Sequence, residues 1–236
     1  MSALGHYLEE EGIASVAIAL IRPQAEKTRP PRALFVPFEL GRPIGPPGDP
    51  AFQKRVIRAA LGMLVEAGGP VRIADFPDDD PREAADPDWR APRPPAGEHG
   101  AEAVEAELRA LAQPYAASCV ARERSTVGLS GLPPAECGAY LAAWLRGERP
   151  ESPIADMSPP LALRFAIDDL KAFALEAALT PGSRPSSRQL GDWLWNETAL
   201  GDAIQTLRRE FLAGDDERLK QLAFFFVPGL RVPPGG

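Results

Sequence analysis

Histidine and cysteine are nearly absent: the 236 residues include two of each, His6 and His99, Cys119 and Cys137. Both histidines precede the helix-rich part of the chain, so a Glu-x-x-His metal site in a helical bundle is excluded there. Two cysteines make neither a disulfide framework nor a zinc ribbon. Basic charge is short as well. The 26 Lys and Arg stand against 33 Asp and Glu, and a net charge of −7 argues against a nucleic-acid partner. The longest apolar run, Ile13 to Ile21, is strand-sized and falls well below a bilayer crossing. The opening MSALGHYLEEEG is acidic and lacks the basic and apolar regions of a secretory signal. A cytoplasmic, soluble protein without nucleic-acid or membrane partners is therefore expected.

Common catalytic signatures are missing too. There is no G-x-G-x-x-G and no P-loop lysine. Gly128-Leu129-Ser130-Gly131 misses the nucleophile-elbow register because Leu132 follows. These absences leave the cofactor open, and no metal-ligand set is expected.

What it has in excess is proline, 27 in all, about twice the usual share of ~5%. With 44% hydrophobic and 25% charged residues, the chain has the balance of a folded globular protein with long irregular stretches. Leu4 to Glu11 reads as a short helix stopped by Gly12. Ala14 to Ile21 reads as a strand covered on both faces, and Ala33 to Phe38 as a second strand. Pro23, Pro30 and Pro31 leave room for at most one helical turn between them. Asp49 as N-cap and Pro50 at the first helical position launch a helix. Its apolar face is Val56, Ala60, Met63 and Ala67 with Ile57, Leu61 and Leu64 beside them, and Val71 to Phe76 reads as a third strand. Residues 77–100, with the acidic run FPDDDPREAADPD, read as a mobile or draped connection. Helices are expected near 101–121, 134–146, 161–179, 187–213 and 215–226. The fold class is thus α/β: a short Rossmann-like N-terminal segment with a small parallel sheet, residues 1–76, packed on a mostly α-helical C-terminal half, residues 101–230. A flexible tail follows at 231–236.

Three places carry candidate chemistry. The loop LGRPIGPPGDP offers Arg42, Gly45 and Asp49 to a ligand, although its prolines remove the N–H donors of a phosphate cradle. A rigid turn that launches the helix is the alternative. Arg122 to Gly131, RERSTVGLSG, gathers Arg122, Arg124, Ser125, Thr126 and Ser130 for anion contact, or forms a loop whose hydroxyls satisfy its own backbone. The third place is a set of carboxylates. Leu190, Trp193, Glu197, Leu200, Ile204, Leu207 and Phe211 step by three and four, which puts Glu197 in an apolar seam. Asp169 and Glu176 share a face with Phe165 and Phe173. These three acids are either buried ion pairs or the catalytic acid–base groups of a pocket. Trp193 and Trp195 are two apart, so Trp193 is assigned to the core and Trp195 to a pocket or partner surface. The cysteines follow helical stripes, and both thiols are expected to face the core.

Residues 12–66 resemble a known family. GIASVAIALI, PPRALFVPF, GRPIGPPGDP and the following helix are similar to the C-terminal part of component B of the glycine, sarcosine, betaine and D-proline reductases, with Pro43, Gly45, Gly48, Asp49 and Pro50 as the matching positions. RSTVGLSG and WLWNET look like uncharacterised component-B-like relatives. In that family a redox selenocysteine or cysteine precedes a helix like the one at 4–11. No counterpart stands before it here, so the resemblance implies the fold of the first third without selenol reduction. The expected function is a reductase-like protein that binds a small polar or anionic molecule, or a subunit of an oxidoreductase, as a homo- or hetero-oligomer. The alternatives are a non-catalytic protein–protein interaction subunit and an acid–base enzyme using Glu197 with Asp169 or Glu176.

Overall fold

The computed structural model describes residues 2–66, 70–81, 84–92, 100–179 and 181–228. They form a mixed α/β, mostly helical chain that divides into two compact units, Met1–Ala84 and Ala85–Gly236.

In the first unit, α1 (Ser2–Glu10) ends at Gly12, whose φ of +79° a residue with a side chain rarely adopts. Three strands follow in parallel pairing, β1 (Ala17–Ala19), β2 (Arg32–Phe35) and β3 (Arg72–Asp75), in the spatial order β1-β2-β3. Ala17 pairs with Ala33 and Arg32 with Arg72. Being central, β2 buries Ala33 and Leu34. The strand expected over 14–21, covered on both faces, is in fact the three-residue edge β1, and it is only half-buried. Its approach is tied off early, because the backbone N–H of Ser15 donates to the Glu9 carboxylate at 2.6 Å. The single turn expected among the early prolines is a two-turn helix, α2 (Arg22–Thr28). Pro23 sits in its first turn, where the missing N–H has no partner to lose.

Helix α3 (Pro50–Val65) begins as the sequence predicts, with the Asp49 side chain accepting from the Phe52 N–H at 2.9 Å. Phe52, Val56, Ala60 and Met63 are buried. Phe38, Phe52 and Phe76 close this core as a ring trio, with centroids 5.5, 5.8 and 5.9 Å apart. Ile57 and Leu61, expected on the apolar face, stand exposed, because one stripe of α3 suffices to cover a sheet this small. Ala67 lies outside the described residues.

The second unit is helical: α4 (Ala101–Arg122), α5 (Pro134–Leu145), α6 (Pro159–Ala177), α7 (Ser187–Glu197), α8 (Ala199–Ala213) and α9 (Glu217–Ala223). Helices α4, α5 and α6 pack on one another around Leu111, Leu141, Leu163, Ile167 and Leu170. The segment 86–92 is fastened to this unit. The Trp89 Nε1–H donates to the Ala178 carbonyl at 3.0 Å, and the Trp193 Nε1–H donates to the Pro92 carbonyl at 3.1 Å. Residues 93–99, His99 among them, and the tail at 231–236 lie outside the described residues.

The helix expected over 187–213 is two helices. Thr198 is extended (φ −107°, ψ 146°) and caps α8 by accepting from the Gly201 N–H at 2.9 Å. Gly201 itself is enclosed: a Cβ there would overlap the Leu194 carbonyl. The break resets the helical phase, so the seam of three- and four-residue steps does not run through position 197.

Candidate binding site

Asp169 and Glu176 are seven residues apart on α6, two turns, so both point from the same face. That face receives the loop between α4 and α5. Asp169 Oδ1 accepts from the N–H of Gly128 at 2.8 Å and of Leu129 at 2.9 Å. Its Oδ2 accepts from the Ser130 N–H at 2.8 Å and the Ser130 hydroxyl at 2.5 Å. Glu176 does the same one stretch earlier. Its Oε1 accepts from the Thr126 N–H and hydroxyl, both at 2.8 Å, and its Oε2 from the Ser125 hydroxyl at 2.8 Å. The Arg122 guanidinium stands 3.6 Å from Glu176 Oε1.

The two carboxylates thus replace the backbone partners that an irregular loop lacks. Burial pushes the Asp169 carboxyl up, but the Ser130 hydroxyl and the three N–H groups outweigh it and hold the group below the usual carboxylate range. For Glu176 burial is again outweighed, here by Thr126, Ser125 and Arg122. Both acids are ionised and have their oxygens occupied. Six of the sequence-predicted residues, Arg122, Ser125, Thr126, Ser130, Asp169 and Glu176, meet here, and what they build is the loop's internal scaffold.

The remaining predicted residues do not join them. Glu197 is exposed at the end of α7, which corrects its assignment to a buried seam; the cause is the Thr198 break. Arg124 is exposed on the loop. Trp195 is buried together with Trp193, because α7 is covered on more than one side, so it lines no surface. Its carbonyl accepts from Gln205 Nε2 at 2.8 Å. In the first unit Arg42 pairs with Glu39 at 3.2 Å, and Asp49 is spent as the α3 cap. Gly45, at φ +88°, lies so close to Phe52 that a Cβ would sit 2.5 Å from its ring. That loop is a rigid launch for α3.

Cys137 faces the core as expected, and burial pushes its thiol up. Cys119 does not: it is half-exposed, with Sγ 4.0 Å from Glu176 Oε2. Among the described residues no group of three His, Cys, Asp or Glu side chains converges as a metal site, and no helix is long and apolar enough to cross a membrane.

The sequence reading missed Glu107. It is buried on α4 and accepts from the Ala199 N–H at 2.6 Å and the Leu200 N–H at 3.4 Å. With Thr198 serving Gly201, it completes the N-terminus of α8. Burial pushes its carboxyl above the usual range, and the two N–H bonds only partly offset this. A signal existed: Glu107 lies three residues after Val104 and four before Leu111, within the apolar stripe of α4.

Beside the loop scaffold lies a groove of about 610 Å³ between α4 and α5. Leu108, Ala112 and Tyr115 line it from α4, and Pro133, Pro134, Ala135, Gly138 and Ala139 from the start of α5. Gly138 lets Leu108 lie directly against the α5 backbone. Small side chains on α5 keep the helices from filling the space between them. Phe173 of α6 closes one end against Tyr115, ring centroids 4.7 Å apart. Glu105 and Arg109 supply the charged groups of the lining. Glu105 is 3.7 Å from Arg146, whereas Arg109 makes no ion pair among the described residues.

Neither a family model, nor a curated protein, nor a solved structure matches this chain. The Tyr115 hydroxyl lies 2.8 Å from Ser125 Oγ. Ser125 gives its only hydroxyl proton to Glu176, so Tyr115 is the donor in that contact and its phenol oxygen offers lone pairs. Tyr115 thereby belongs both to the groove wall and to the loop scaffold.

Proposed function

We propose that the protein is a binding subunit whose helical unit takes up a small, mainly apolar molecule in the groove between α4 and α5. The groove carries this reading: about 610 Å³ lies within the roughly 300–1,000 Å³ typical of ligand sites, and its walls are apolar apart from a few polar groups. Acid–base catalysis is disfavoured because Asp169 and Glu176 are engaged with the loop and Glu197 faces solvent. The resemblance of residues 12–66 to reductase component B, and a Rossmann-like reading of the small parallel sheet, fit the same proposal: a cytoplasmic, reductase-like subunit of an oxidoreductase. One observation favours a second reading, a protein–protein interaction subunit. Ile57, Leu61 and Val65, spaced by four on α3, are 40%, 53% and 86% exposed.

The test uses the neutral fluorophore N-phenyl-1-naphthylamine with the full chain. Ala112→Trp and Ala139→Trp, at exposed positions of the lining, fill the groove without disturbing the core. Each is expected to weaken dye binding about ten-fold or more with unchanged circular dichroism. Wild-type affinity in both variants overturns the reading. For the second reading, Leu61→Lys lowers the mass of any assembly seen by sedimentation; an unchanged assembly removes α3 from the interface.

A further inference from the structure

We infer that the ligand of this groove is an amphipathic monoanion: one carboxylate, or a like acid, at the Arg109 end and an apolar body reaching Tyr115 and Phe173. The inference rests on the binding role proposed above and adds the chemical class and the orientation.

The groove is electrically lopsided. At one end Glu105 and Arg109 are one turn apart, but Glu105 lies beside Arg146 at 3.7 Å and Arg109 has no carboxylate partner among the described residues. A guanidinium at the mouth of an apolar groove matches the planar, two-oxygen geometry of a carboxylate. At the other end the Tyr115 proton is committed to Ser125, and the next group in the chain is the Glu176 carboxylate. That end presents phenol lone pairs and two aromatic rings, and it offers an anion no free cation, because the Arg122 guanidinium there stands 3.6 Å from Glu176 and is paired with it.

Arg109 and Tyr115 are six residues apart on one helix, about 9 Å along its axis at ~1.5 Å per residue. A medium-chain or arylalkyl acid spans that distance. A molecule with an acid at each end is selected against, because its second carboxylate would be desolvated beside the Tyr115 oxygen.

Calorimetric titration of the full chain with octanoate, 1-octanol and octanedioate tests this. Octanoate is expected to bind about five-fold or more tighter than either of the others at low salt, with the advantage shrinking in 0.5 M salt. Arg109→Gln is expected to bring octanoate down to the level of 1-octanol. Equal affinities of octanoate and 1-octanol in the wild type, both lost in Ala139→Trp, overturn the anion assignment and leave the groove standing. Binding of octanoate that survives Ala139→Trp overturns both. So does no binding of octanoate or 1-octanol to the wild type.

Discussion

Replacing Asp169 by asparagine keeps the size of the side chain and removes its charge. In the native loop Oδ1 accepts from the Gly128 and Leu129 N–H groups, and an amide oxygen can still do so. In the variant an amide nitrogen faces the Ser130 N–H and hydroxyl in place of Oδ2. The hydroxyl turns and accepts from the amide, but the Ser130 N–H, in a buried residue, is left facing a donor. One orphaned buried N–H costs about 1–3 kcal/mol, and the loss of charge on the remaining bonds adds roughly 1 kcal/mol. The sum, about 2–4 kcal/mol, is a large part of a typical domain stability of ~5–15 kcal/mol. For a unit of this size it lowers Tm by roughly 5–15 °C. All four tryptophans, Trp89, Trp144, Trp193 and Trp195, belong to the helical unit, so tryptophan fluorescence in thermal and urea melts reports on it alone. The pH dependence has a definite sign. The folded-state pKa of Asp169 is lowered, so its contribution is present above the unfolded value of about 3.9 and is lost as pH falls through the folded value. The gap between wild type and variant should therefore narrow towards pH 3. A variant within about 1 kcal/mol of wild type at pH 7 refutes the scaffold role, as does a gap that is constant down to pH 3.

Glu107 titrates in the opposite sense. Burial raises its folded pKa, so its ionisation costs stability as pH rises from the unfolded value of about 4.3 through the folded one. Glu107→Gln is expected to remove that decline in Tm between pH 4 and pH 8. Gly45→Ala meets both a φ of +88° and the Phe52 ring, and is expected to cost about 2–4 kcal/mol, read as faster amide exchange in the first turn of α3. Glu197→Gln, at an exposed helix end, is expected to change stability by less than about 0.5 kcal/mol in the same fluorescence melts.

Local signals in the sequence placed much of the architecture. The Asp49-Pro50 start of α3, the Gly12 stop of α1 and the parallel reading of the short strands all rest on chemistry within a few residues. What local chemistry does not carry is which distant groups meet. RSTVGLSG stood out for its hydroxyls, and Asp169 and Glu176 for their place on a helix face, but as separate candidates. That the first is the partner of the second depends on α6 packing beside the α4–α5 loop, about forty residues apart along the chain. The Glu197 seam failed for a related reason. Periodicity assumes an unbroken helix, and a threonine that caps α8 inside an apolar pattern breaks the phase unseen. Glu107 carried the same signal that drew attention to Glu197, and there the burial is real. The groove was illegible because its α5 wall is made by small residues, Pro133, Pro134, Ala135, Gly138 and Ala139, whose importance lies in the volume they leave empty.

Methyl-resolved NMR of the full chain titrated with octanoate tests the binding account most directly. The account predicts saturable shifts at Leu108, Ala112 and Ala139, absent in Ala139→Trp at the first two. Saturable shifts confined to other residues, or none at all, would contradict it.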